Sequence, residues 1–154
     1  MDTLNFKPTF LGQCIIKYQV PLDIFTSINQ IYEQNYNNLA PANSQLVGKI
    51  EKEHSLFYHG EDQTKMKNHN FLPKNVTDYF MQVFNHYLKF NAIRDYKTHL
   101  NSIWVNEMKQ HEYNPAHIHR GMLYTGLSSV MILKLPSTYG KEYSAEHVQQ
   151  NGRL

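Results

Sequence analysis

His117 and His119 are the residues whose type and spacing most directly suggest chemistry. On a strand, residues two apart share a face, so the pair would present two imidazoles side by side with Ile118 directed into the opposite layer. Neutral imidazole nitrogens bind iron, zinc, copper or nickel, and two of them leave positions for a third protein ligand and an exchangeable substrate. A chain with nine histidines also offers such a tripeptide by chance, so its surroundings decide how much it means. Immediately upstream stand Asn114 and Pro115, and the proline ring restricts the backbone so that His117 enters its strand in a fixed direction. Before them Ile103, Val105 and Glu107 alternate with Trp104, Asn106 and Met108, the period of a strand from about Ser102 to Met108. An Asn106 amide among apolar neighbours can both donate to and accept from a carboxylate or keto acid; the competing reading is a turn cap or a solvated side chain. Trp104 reads as core.

The bulk composition limits what such a site can serve. The chain has 154 residues, one domain's worth at roughly 100 to 200 residues per domain. Its 15 Lys and Arg against 13 Asp and Glu leave a net charge of +2, so electrostatic capture of nucleic acid is not expected. The apolar runs, such as Val130 to Leu133, fall far short of the ~20 residues of a membrane span, and no apolar signal core opens the chain. A cytoplasmic protein without a membrane partner is expected. The single cysteine, Cys14, forms no internal disulfide or multi-cysteine zinc site and reads as a small buried hydrophobe.

Several elements must hold the histidines in place. Phe10, Cys14, Ile15, Ile16, Tyr18 and Val20 predict a strand over Thr9 to Gln19, closed by Pro21. Pro21 suits a helix start, and Phe25, Ile28, Ile31 and Tyr32 recur on one face through about Tyr36. Residues 37–75 read mostly as loop, with short strands or turns at Gln45 to Ile50 and His54 to Tyr58. A second helix begins near Pro73 to Asn75, with Val76, Phe80, Val83, Phe84, Tyr87 and Leu88 on one side. After the Ser102 strand, His117 to Tyr124 and Leu127 to Leu135 are further strand candidates, the last closed by Pro136. Helices followed by strands predict an α+β fold with helices on one face of an antiparallel sheet.

The segment resembles the opening of the catalytic barrel in the Fe(II)/2-oxoglutarate-dependent oxygenases, and is most similar to small members of the prolyl-hydroxylase-like superfamily carried by tailed phages. The residues carrying the resemblance are Ile103-Trp104-Val105-Asn106, Asn114-Pro115-Ala116-His117-Ile118-His119, Gly126-Leu127-Ser128-Ser129-Val130 and Leu133-Lys134-Leu135-Pro136. The resemblance implies a double-stranded β-helix (jelly roll), with residues 1–96 as N-terminal support and 97–154 as the first part of the barrel. It implies that His117 matches the first iron ligand, that Fe(II) and 2-oxoglutarate are the cofactor and cosubstrate, and that ascorbate can support turnover. Asn106 and Lys134 are the expected contacts to the cosubstrate.

Two departures from the family pattern leave alternatives open. Position 119 is histidine where the family carries Asp or Glu, so either the site is all-nitrogen or His119 lies beside it. In the second case Glu107, Glu112, Glu142 or Glu146 would supply the carboxylate. Only 35 residues follow His119, room for roughly three more strands, whereas the family's distal histidine and basic residue lie on late strands. The expectation is a fragment of a longer oxygenase or a shortened member, and His147 is the best placed third ligand. A truncated sheet would also favour a homodimer.

Other readings compete. A cupin-like metal protein also opens with His-x-His, although no acid follows between Arg120 and Gly126. A catalytically inactive interaction module, such as a phage accessory protein, would leave the histidines as surface residues. The resemblance implies oxidation of a protein side chain or a small molecule. Ser128 and Ser129 lack the Gly-x-Ser-x-Gly context of a nucleophile.

Overall fold

The computed structural model describes residues 4–11, 13–42, 48–59, 70–115, 117 and 126–136. Strand β1 (Phe6–Leu11) pairs antiparallel with β2 (Gln13–Tyr18), from Phe6 opposite Tyr18 to Leu11 opposite Gln13. The sequence predicts a single strand over Thr9 to Gln19, and the structure corrects this to a hairpin. Pro8 argues against a strand in sequence terms, but each strand of a two-stranded ribbon is an edge, where a residue without an N–H is tolerated. A second hairpin-like sheet joins β3 (Lys52–Tyr58) to β4 (Ser102–Glu107), again antiparallel. Its register shifts between Ser55 and Phe57, a β-bulge at Leu56. On the far side of β3, Ser55 N–H donates to the Ala40 carbonyl (2.9 Å) and Ala42 N–H to that of Glu53 (2.8 Å), which adds a short third rail.

Helix α1 (Leu22–Asn35) starts after Pro21 and buries Ile24 and Ile28, with Ile31 and Tyr32 packed beside them. The expected face is therefore present but rotated, with Ile24 rather than Phe25 deepest. A short 3-10 turn, Tyr36–Asn38, follows. Helix α2 (Lys74–Phe90) buries Val76, Val83 and Leu88 of the expected face, with Tyr79 rather than its neighbour Phe80 buried between them. It ends in a Schellman motif: Ile93 N–H donates to the Leu88 carbonyl and Ala92 N–H to that of Lys89, with Ala92 at φ 56°.

Both helices cover one face of the β3–β4 sheet. Leu56 and Val76 are fully buried, Ile24, Ile28, Leu39, Tyr79 and Val83 close around them, and Ile103 and Val105 of β4 pack from below. The β1–β2 hairpin leans on α2, where the Tyr18 hydroxyl lies 2.8 Å from His86 Nδ1 and the Tyr87 hydroxyl donates to the Cys14 carbonyl at 2.8 Å. Burial pushes the Tyr18 phenol up to about 12. The fold is thus α+β, and the described residues hold two α-helices and two small antiparallel sheets.

The strand expected over Leu127 to Leu135 is absent: residues 126–136 form no strand. The sequence alternation survives, since Met131 and Leu133 pack against the core while Ile132 and Lys134 are exposed. A strand is a pairing state as well as a pattern, and this segment makes no ladder with the described residues. Of the His117 to Tyr124 candidate, His117 is not in a strand, and 118–124 lie outside the described residues, as do 45–47 of the Gln45 to Ile50 candidate. Among the described residues, no helix is long and apolar enough to cross a membrane.

Candidate metal and cosubstrate site

The chain leaves β4 at Glu107 and turns through Lys109 to Tyr113 with a left-handed residue, His111, at φ 67°. Glu112 holds this turn together. Its carboxylate accepts Lys109 N–H at 2.6 Å and, from a distant part of the chain, Glu51 N–H at 3.0 Å. Those two backbone donors hold the Glu112 carboxyl below its ordinary value. An exposed ion pair, Lys109 Nζ to Glu51 at 2.5 Å, spans the same junction. Tyr113 and Lys49 then exchange backbone hydrogen bonds at 2.9 and 3.0 Å, forming a lone β-bridge.

Gly48 makes that bridge possible. At φ 142° it passes so close beneath the turn that a Cβ there would lie 2.5 Å from the Tyr113 carbonyl oxygen and 2.8 Å from Pro115 Cδ. Pro115 is therefore seated on a fixed platform, and its carbonyl lies 2.7 Å from His117 Nδ1. A carbonyl only accepts, so in the neutral ring Nδ1 carries the proton and the lone pair belongs to Nε2. Metal-binding imidazoles are usually oriented by such a bond from the other ring nitrogen. The side chain is exposed. The donor chemistry of His117 thus fits a metal ion, as one ligand.

Asn106 lies on the face of β4 turned away from the helices. Directly opposite in register is Glu53 of β3, and Trp104 is opposite Ser55 on the same face. Glu53 is only 5% exposed, and burial raises its carboxyl above the ordinary 4.5 while a hydrogen bond from the Trp104 indole acts in the opposite sense. The Asn106 Oδ1 is buried without a hydrogen-bond partner. This face carries an acid, an amide and an indole, a set suited to proton donation and to hydrogen bonding with an oxygen-rich ligand. Trp104, expected in the core, is instead 37% exposed, because β4 turns Ile103 and Val105 to the core and Trp104 away from it.

Glu53 is the group that sequence reasoning missed. It stands in the polar run Lys52-Glu53-His54-Ser55, where no apolar alternation marks an inward face. Pairing of β3 on both sides, by β4 and by residues 40–42, makes its strand a central one. No local signal in the sequence marks it.

Glu107 is a different case. It lies on the helix-facing side, opposite to Asn106, where it accepts from the Tyr32 hydroxyl at 2.9 Å and the Tyr36 hydroxyl at 3.3 Å. The Tyr32 hydroxyl also lies 3.0 Å from His54 Nδ1, and Lys52 Nζ donates to Tyr36 while sitting 4.8 Å over its ring. With the Tyr32 proton directed to Glu107, His54 Nδ1–H is the donor to Tyr32. Burial and then Glu107 push the Tyr32 phenol above its ordinary range. Glu107 and Glu112, both weighed as iron carboxylates, are thus engaged in tying α1 to the sheet and the turn to Glu51.

His119, His147, Glu142, Glu146, Arg120 and Arg153 lie outside the described residues. Lys134 is exposed on the 126–136 segment. Among the described residues, no group of three metal-ligating side chains is assembled. No protein-family model matches the chain, and no curated protein or solved structure matches it.

Proposed function

We propose that the chain is an Fe(II)/2-oxoglutarate-dependent oxygenase of the phage type, its 97–154 part contributing to a double-stranded β-helix. The observation that carries this reading is the orientation of His117: a single imidazole, aimed by the Pro115 carbonyl, on a turn braced by Gly48, Lys49 and Glu112. His117 would hold iron through Nε2, with His119 and His147 as the further ligands and Asn106 and Lys134 meeting the carboxylates of 2-oxoglutarate. Iron would supply oxygen activation coupled to decarboxylation of 2-oxoglutarate, with ascorbate restoring lapsed metal. The protein's own contribution is ligand direction, which lowers the reorganisation needed on binding. The substrate class is a protein side chain or a small molecule.

The test is anaerobic addition of Fe(II) and then 2-oxoglutarate, monitored by visible absorption. A metal-to-ligand charge-transfer band that disappears in His117→Ala is the expected result. Iron binding without a 2-oxoglutarate-dependent band would make the protein a cupin-like metal binder. Failure to bind iron would leave a non-catalytic interaction module.

A further inference from the structure

At the opposite end of the β3–β4 sheet from the His117 turn, two histidines face each other. Tyr58 and Ser102 are the last register pair, and one further bond, His59 N–H to the Asn101 carbonyl at 2.7 Å, extends the ladder. That bond fixes the backbone of His59 against the segment leading into β4. His99 stands two residues before Asn101, and its ring centroid lies 5.8 Å from that of His59, with the planes at 52°. Both side chains are exposed. About 20 Å of strand separates this end of the sheet from the Lys49–Tyr113 bridge, so the two regions cannot share an ion.

We propose that His59 and His99 form a two-imidazole chelate for a borderline divalent cation such as Cu(II), Zn(II) or Ni(II), a site separate from His117. The distance is the first argument. With metal–nitrogen bonds of about 2.0–2.1 Å, each ring centroid sits roughly 3.2 Å from the ion, so two rings on one ion lie roughly 4.5 to 6.4 Å apart as the ligand angle opens from 90° to linear. The observed 5.8 Å falls within that interval. The second argument is placement: one imidazole extends from a laddered strand end and the other from the chain paired with it, so little conformational freedom is lost when both bind. The third is chemistry, since imidazole prefers borderline cations, and exposure leaves the other coordination positions to water or a ligand. Among the described residues, no third histidine, cysteine or carboxylate joins them.

Copper(II)–iminodiacetate is the suitable probe, because it occupies three positions and leaves the rest for imidazole. Titration of the full chain, read by electron paramagnetic resonance, is expected to show two coordinated imidazoles. His59→Ala and His99→Ala are each expected to weaken binding by about tenfold or more, the difference between bidentate and single-point attachment. His117→Ala is expected to leave this site unchanged. His59→Asn and His99→Asn repeat the test with polar side chains, in case either alanine variant fails to fold. An unchanged affinity in either member of the pair, or single-imidazole coordination in the unaltered chain, would overturn the proposal.

Discussion

Gly48 and Tyr113 approach so closely that no side chain fits between them: a Cβ on Gly48 would lie 2.5 Å from the Tyr113 carbonyl oxygen. This contact closes the bridge that carries Pro115 and, through its carbonyl, orients the His117 ring. Gly48→Ala must therefore either strain the φ 142° backbone or push the turn away. The expected cost is about 2–3 kcal/mol of stability in chemical denaturation, together with weaker metal binding at His117. Gly126→Ala is the control, since nothing lies within 4 Å of a Cβ there. Equal stability of the two variants would show that the bridge does not brace the turn.

Glu53 gives a pH dependence whose sign follows from its burial. Its folded-state value is raised above the ordinary 4.5, so the folded protein binds this proton more tightly than the unfolded chain does. The stabilisation is complete below the unfolded value and is lost as pH rises through the folded one. Glu53→Gln removes that titration while keeping an oxygen for the Trp104 indole, and its amide can donate to the Asn106 Oδ1. Urea denaturation from pH 4 upward is expected to show the variant gaining on the parent as pH rises. Parallel curves at every pH would contradict the assignment. Glu53→Ala, which supplies no acceptor to the indole and no donor to Asn106, is expected to cost about 1–3 kcal/mol.

Tyr32 joins α1 to the sheet through Glu107 and His54. Tyr32→Phe removes one hydroxyl but leaves two polar groups short of a partner, so a loss of about 1–3 kcal/mol is expected. Tyr36→Phe removes a longer bond to Glu107, 3.3 Å, together with the acceptor for Lys52, whose ammonium is solvated, and should cost less. A double-mutant cycle between Tyr32→Phe and Glu107→Gln is expected to show a coupling energy, whereas additive losses would mean that the two side chains act independently. Near-parental iron binding in Tyr32→Phe would agree with Glu107 serving the fold and not the metal.

Helices α1 and α2 and strand β4 are legible in the sequence because their signals are local. Val76, Tyr79 and Val83 recur at intervals of three and four residues along a single chain segment, and Ile103 and Val105 alternate within one strand. The α+β class follows from their order. His117 stood out by type, spacing and its neighbouring proline. Its orientation was not readable, because the groups that brace its turn, Gly48, Lys49 and Glu51, come from a stretch some sixty residues earlier. Pairing decided the rest: it made a hairpin of the first β region, left residues 126–136 without a ladder, and turned Trp104 outward. The same pairing set Glu53 opposite Asn106, and the packing of α1 on the sheet engaged Glu107 with Tyr32 and Tyr36. Residue type and period determine what a segment can become, and desolvation and hydrogen-bond partners brought from elsewhere in the chain determine which of its polar groups are left for chemistry.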